Sequence, residues 1–134
     1  AGIAAAIRYP DRQVFSLVGD GGALMTGSEL ATAVAQKAKI RVIVANNQHY
    51  GTIRYHQELH FPSREHYATN LVNPDFAKYG ESFGLECFTI EKVEEIIPTL
   101  KKAMKVDGPS LIEFKMSLEL NTSTTTITQL QMKK

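Results

Sequence analysis

The chain has 134 residues, 43% of them hydrophobic, with 15 basic against 14 acidic side chains and a formal net charge of +1. That length fits one domain with a working core, and the even scatter of charge excludes both a basic stripe for nucleic acid and a one-sign block for a membrane surface. No apolar run reaches the ~20 residues that span a bilayer, no charged-then-apolar leader opens the chain, and Cys87 is the only cysteine. A buried thiol in a protein of the reducing cytoplasm is the expectation.

The opening "AGIAAAIRYP" has no methionine and no capping residue before a strong helix-former pattern, so the chain reads as truncated at its N-terminus. Tyr9 and Pro10 stop that helix, and "QVFSLVG" follows as a strand ending in glycines. Thr26 and Glu29 have the spacing of a capping box, predicting a helix from about Gly27 to Lys37. "IRVIVA", Ile40 to Ala45, is a second strand that ends at two asparagines. Strand, helix and strand with continuous apolar strands predict an α/β fold, a doubly wound parallel sheet buried on both faces by helices.

Farther along, Gly51 to Phe61 can form a helix and "PSREHYATNLV" reads as a surface loop. Asn73 is expected to cap a helix with Pro74 at its first position and Gly84 at its end. "LECFTI" and "GPSLIEFKM" are further strands, separated by a short turn of helix and a longer helix starting near Pro98. Residues 1–117 therefore read as one unit, and 118–134, rich in threonine and serine, as an irregular tail.

Parallel neighbouring strands place their carboxyl ends on one edge, where open α/β sheets bind ligands. Asp20 and the pair Asn46 and Asn47 would then face one crevice. A carboxylate, amide oxygens and loop carbonyls form an all-oxygen set suited to Mg²⁺, which keeps phosphate oxygens and water in its shell. Gly21 and Gly22 would let backbone N–H groups approach an anion at a helix start. Singly, an Asp-Gly pair or an Asn-Asn pair is a common turn or loop; their joint placement at two strand ends carries the reading.

The stretch "GDGG" at Gly19 to Gly22, with Asn47 twenty-seven positions after Asp20 and "NNQHYGTI" continuing from it, resembles the diphosphate-binding motif of thiamine-diphosphate-dependent enzymes. The similarity is to the acetolactate-synthase and 2-oxo-acid-decarboxylase branch and runs from about Ala1 to Met116. The resemblance implies the thiamine-diphosphate-binding fold, with thiamine diphosphate and Mg²⁺ as cofactors. It also implies metal ligands at Asp20, the side chain of Asn47 and the main-chain carbonyl of His49. Gly19, Gly21 and Gly22 would face the diphosphate, and Tyr50 and Gly51 would continue the loop beneath it.

The same resemblance implies the reaction: loss of carbon dioxide from a 2-oxo acid, with the product protonated or joined to a second carbonyl. The activating glutamate belongs to a pyrimidine-binding domain of the same or a partner chain, so no catalytic residue is expected here and the chain alone is expected to be inactive. A homo-oligomer, dimer or tetramer, is implied; flavin use in the full-length enzyme stays open. Pyruvate decarboxylases carry a glutamate where this chain has Ile53, and acetolactate synthases carry a tryptophan shortly after this loop, where this chain reads "IRYHQELHF". A non-catalytic cofactor-binding or assembly module, or one subunit of a split decarboxylase, is the alternative.

Other motifs fall short. "GGALMTGSE" lacks the lysine of a phosphate loop, and Leu24 stands where a dinucleotide fingerprint needs its third glycine. His56 and His60 have a zinc-compatible spacing, but Glu58 is one position late for the metalloprotease pattern, so solvated helix residues are expected. Arg54 and His56 as contacts for a substrate carboxylate are open.

Overall fold

The computed structural model describes residues 1–61, 65–122 and 125–132. Helix α1 (Gly2–Arg8) leads into strand β1 (Val14–Gly19), and β2 (Ile40–Asn46), β3 (Glu86–Ile90) and β4 (Ser110–Lys115) complete the main sheet. Its order is β1-β2-β4-β3, and every neighbouring pair is parallel. The register sets Val18 beside Val44 and Gly19 beside Ala45, so β1 and β2 run out together at one edge.

Side chains alternate along a strand, so Val18, Val42, Val44, Leu111 and Cys87 share one face. There they meet Ala23 of α2 (Asp20–Thr26), Leu30 of α3 (Leu30–Ala35) and Phe76 of α5 (Phe76–Glu81). On the opposite face Ile43, Phe88, Ile90, Ile112 and Phe114 meet Ile96, Leu100 and Ala103 of α6 (Ile96–Ala103). The fold is thus α/β, with helices on both sides of a parallel sheet, as its strand pattern predicts. Cys87 lies half-buried between β3 and α5, and burial pushes its thiol up to about 11.

Several elements differ from expectation. Double-sided burial fails at β1, where Phe15 and Leu17 are 47% and 75% exposed, because the cluster around α6 takes side chains from β2, β3 and β4 and, among the described residues, none from β1. The helix after β1 starts at Asp20 instead of near Gly27, since the extended Gly19 (φ −72°, ψ 158°) passes straight into α2 with no intervening loop. The Thr26 hydroxyl bonds back to the Gly22 carbonyl (3.2 Å) and Glu29 accepts from the Thr32 hydroxyl (3.1 Å), so no capping box forms. A 3₁₀ turn at Gly27–Glu29 joins α2 to α3 instead.

Helix α5 is capped by the Asp75 carboxylate, which accepts from Lys78 N–H at 3.0 Å; Asn73 is not the cap. The predicted surface loop before it is only partly superficial: Thr69 is fully buried, while Pro62, Ser63 and Arg64 lie outside the described residues. The segment after Leu118, expected to be irregular, forms β5 (Leu120–Thr122), β6 (Thr125–Thr126) and α7 (Ile127–Gln131). A capping box between Thr126 and Gln129 starts α7, and buried Ile127 and Leu130 accompany its packing on α4 (Gly51–His60). Two apolar residues at helical spacing, with Thr128 donating to the Glu119 carboxylate, accompany the folding back of a tail whose composition looks disordered. No helix among the described residues is long and apolar enough to cross a membrane.

Candidate functional site

Asp20 is the first residue of α2 and the last group of the β1 edge, and only 2% of it is exposed. Among the described residues no lysine or arginine lies within ion-pair distance of it. Its carboxylate is held by hydrogen bonds alone: Oδ1 accepts from Gly21 N–H at 2.9 Å, and Oδ2 accepts from Gln48 N–H at 2.7 Å and from Asn73 Nδ2 at 2.8 Å. A carboxylate buried without a cation is costly unless paired or bound to a metal.

The loop after β2 is folded around that carboxylate. Gln48 takes a left-handed backbone (φ 58°) that a side chain disfavours, and Asp20 Oδ2 and Asn46 Oδ1 hold it by accepting from its N–H. Asn47 sits next in line: its Nδ2 donates to the Leu120 carbonyl (3.2 Å) and its Oδ1 accepts from His49 N–H (3.3 Å). An amide oxygen has two lone pairs, so one remains on Asn47 Oδ1. Tyr50 N–H donates to the Thr69 carbonyl and Leu71 N–H to the Gln48 carbonyl, both at 2.8 Å, and neither bond uses the His49 carbonyl. Burial lowers the imidazole of His49 below its ordinary range, and the Arg54 cation adds to this while Asp20 opposes it.

Gly19, Asp20, Gly21, Gly22, His49, Tyr50 and Gly51 line one open cavity of about 250 Å³; Asn47 does not line it. The glycines have reasons of their own. A Cβ on Gly21 would stand 2.5 Å from Tyr50 Cε1, and one on Gly22 would stand 2.9 Å from Val18 Cγ2, whereas Gly19 has open space. Gly21 is therefore required by the Tyr50 ring lying across it. The first-turn N–H groups of a helix have no carbonyl partner; in α2 that of Gly21 is taken by Asp20 Oδ1, and Gly22 also lines this cavity.

By type, one carboxylate, one amide oxygen with a lone pair to spare and one main-chain carbonyl, on the segments that leave one sheet edge, are the oxygens a hard divalent cation takes. Some side chains lie elsewhere. Arg54 forms a buried pair with Glu58 through Nε at 2.8 Å. His56 and His60 are exposed, with rings stacked 5.6 Å apart, and no group of three metal-ligating side chains occurs among the described residues.

Asn73 is the residue sequence reasoning missed, because "NPD" before a helix reads as a cap. Its Nδ2 bridges Asp20 Oδ2 and Asn46 Oδ1, both at 2.8 Å. The signal was present in Asp75, which has the correct spacing to cap through Lys78 and leaves Asn73 without that duty. Glu113, buried on β4, was missed as well; it accepts from Asn46 Nδ2 at 2.6 Å.

The family profile described as "thiamine pyrophosphate enzyme, C-terminal TPP binding domain" matches residues 1–114. The chain belongs to this family. Similar proteins include the 3D-(3,5/4)-trihydroxycyclohexane-1,2-dione hydrolase of Bacillus subtilis, 37% identical over 116 residues that make up 82% of this chain and 18% of that protein. The mitochondrial acetolactate synthase catalytic subunit of Saccharomyces cerevisiae is 32% identical, with 87% of this chain and 17% of that protein covered. Among solved structures, the thiamine diphosphate-dependent 4-hydroxybenzoylformate decarboxylase of Rhodococcus jostii RHA1 is similar with a TM-score of 0.80 at 28% identity, covering 87% of this chain and 22% of that chain. This thiamine pyrophosphate-binding domain thus spans about a fifth of the length of such relatives.

Proposed function

We propose that this chain is the cofactor-anchoring portion of a thiamine-diphosphate-dependent enzyme that removes carbon dioxide from a 2-oxo acid and releases the product or joins it to a second carbonyl. The observation that carries the reading is Asp20: a buried carboxylate at a sheet edge, without a cationic partner among the described residues and beside amide and carbonyl oxygens. Mg²⁺ would be held by Asp20, the Asn47 side chain and the His49 carbonyl, and the diphosphate would lie at the start of α2 beside Gly19, Gly21 and Gly22. The cofactor, when bound, supplies the electron sink that the 2-oxo acid needs to lose carbon dioxide.

This chain's own groups bind and orient. Tyr50 packs over Gly21 beside the cavity, burial holds the His49 imidazole below its ordinary range, and the Leu120 carbonyl fixes the Asn47 amide. The activating glutamate and most of the substrate wall come from a pyrimidine-binding domain of the same or a partner polypeptide, in a homo-oligomer. The names of the decarboxylase and the synthase among the relatives support a 2-oxo acid; the hydrolase name marks how far the reaction varies within the family.

The test combines this chain with a polypeptide that carries the pyrimidine-binding domain and follows carbon dioxide release from 2-oxo acids. Release is expected only with Mg²⁺ and thiamine diphosphate together, and none from this chain alone. Asp20→Ala should abolish Mg²⁺-dependent cofactor binding in calorimetry, because the ion loses its one charged protein ligand. Equal affinity in both proteins refutes the metal assignment. Cofactor binding without release from any partner combination would favour a non-catalytic module.

A further inference from the structure

Four side chains from four different segments form one hydrogen-bonded line at the sheet edge: Glu113 on β4, Asn46 at the end of β2, Asn73 before α5 and Asp20 at the start of α2. The direction of each amide along this line is forced. Asn46 Nδ2 donates to Glu113 Oε1 at 2.6 Å, which turns Asn46 Oδ1 toward Asn73. Asn73 then faces two acceptors, Asn46 Oδ1 and Asp20 Oδ2, and only its NH₂ end can satisfy both. Flipping either amide would set oxygen against oxygen.

The consequence falls on Asp20. An ionised carboxylate offers about four lone-pair sites, two on each oxygen. Oδ2 is filled by Asn73 Nδ2 and Gln48 N–H, while Oδ1 accepts only from Gly21 N–H. The remaining lone pair is on Oδ1, so the orientation of the carboxylate and the identity of its free oxygen are both set by Asn73 and Gln48. The same geometry leaves Asn73 Oδ1 buried and without a donor among the described residues. A buried acceptor of this kind is met by ordered water, and a hydrated divalent cation brings its own water to such a place.

We propose that Asn73 is a positioning residue for the divalent metal: its amide saturates Asp20 Oδ2 and presents Oδ1 to the ion, and it takes its own orientation from Asn46 and Glu113. This rests on the reading of Asp20 as a metal ligand given above, and goes beyond it by assigning a function to three residues that are not ligands. Outer-shell partners of this kind typically change metal affinity about 10- to 100-fold when removed.

The experiment measures Mg²⁺-dependent binding of thiamine diphosphate by calorimetry, with this chain combined with the pyrimidine-domain polypeptide, for the unaltered protein, Asp20→Ala, Asn73→Leu and Asn73→Gln. Asn73→Leu keeps the volume but has no donor, and should raise the apparent Kd for Mg²⁺ about 10- to 100-fold. Thiamine diphosphate affinity at saturating Mg²⁺ should stay near that of the unaltered protein, and Asn73→Gln, which retains the donor, should recover most of the Mg²⁺ affinity. A general loosening of the site would weaken the cofactor even at saturating Mg²⁺, and that outcome overturns the positioning role, as does unchanged Mg²⁺ affinity in Asn73→Leu while Asp20→Ala loses binding. Equal binding by Asp20→Ala, or no Mg²⁺-dependent binding by the unaltered protein, overturns the metal reading and the Asn73 role together. Metal-free melting curves of each variant separate these results from misfolding, and an Asn73→Leu protein that does not fold while Asn73→Gln binds Mg²⁺ no better than Asp20→Ala also counts against the proposal.

Discussion

Asp20 and Gly21 are adjacent in the chain and answer to different forces. Asp20 is buried because its carboxylate is the acceptor around which the β2 loop, the Asn73 segment and the start of α2 are tied, and its burial is tolerable only because three donors meet it. Gly21 is small because the Tyr50 ring occupies the place of its side chain, 2.5 Å from where a Cβ would be. Gly21→Ala is therefore expected to destabilise the fold by about 1–3 kcal/mol through overpacking, read from urea denaturation. Combining it with Tyr50→Ala should cost less than the sum of the two single changes, because the clash is removed with the ring. Additive costs would show that the glycine serves the backbone and not the ring. The GDGG motif thus combines the proposed metal ligand Asp20, a packing requirement at Gly21 and another at Gly22 against Val18, which spacing could not separate.

The elements that build the site come from both ends of the chain. Strands β1 and β2 bring Asp20 and Asn46 to one edge by their parallel register, and α5 approaches through the Asn73 segment. The C-terminal elements complete it, since the Leu120 carbonyl at the start of β5 accepts from Asn47 Nδ2 and Gln131 of α7 donates to Glu58 on α4 at 3.2 Å. Ile127 and Leu130 are the buried apolar residues of α7, so Ile127→Ala should cost about 2 kcal/mol by the usual penalty for emptying a buried aliphatic site. Because α7 follows directly on β6, the change should also weaken Mg²⁺-dependent cofactor binding through Asn47. Chemical denaturation checks the first effect and calorimetry the second; a full loss of α7 packing without any change at Asn47 would uncouple the two.

Across the fold as a whole, the sheet is unevenly dressed. Its β3–β4 half is covered on both faces, whereas β1 leaves Phe15 and Leu17 open to solvent. Exposed aliphatic and aromatic side chains on an edge strand invite association. Leu17→Lys is expected to change the stability of this chain by no more than about 0.5 kcal/mol, as for other surface positions, and to reduce its self-association in light scattering at high concentration. A large loss of stability would mean that Leu17 is covered in solution by another copy of the chain.

The four strands of the main sheet, their parallel sense, the helix boundaries near Tyr9, Gly84 and Pro98, and the placement of Asp20 and Asn46 at one edge were legible in the chain itself. Each follows from local chemistry: apolar runs of strand length, a ring that fixes φ, a glycine at a positive φ. What only the folded molecule decided was which polar group meets which. Asn73 could cap a helix or serve Asp20, Thr26 could cap or bond back to Gly22, and a threonine-rich tail could stay loose or close over α4. A side-chain hydrogen bond or a small apolar contact is worth about 1 kcal/mol, too little for local pattern to choose among partners. The choice is made when packing brings residues as far apart as Asp20, Asn73 and Glu113 into one line of hydrogen bonds through Asn46.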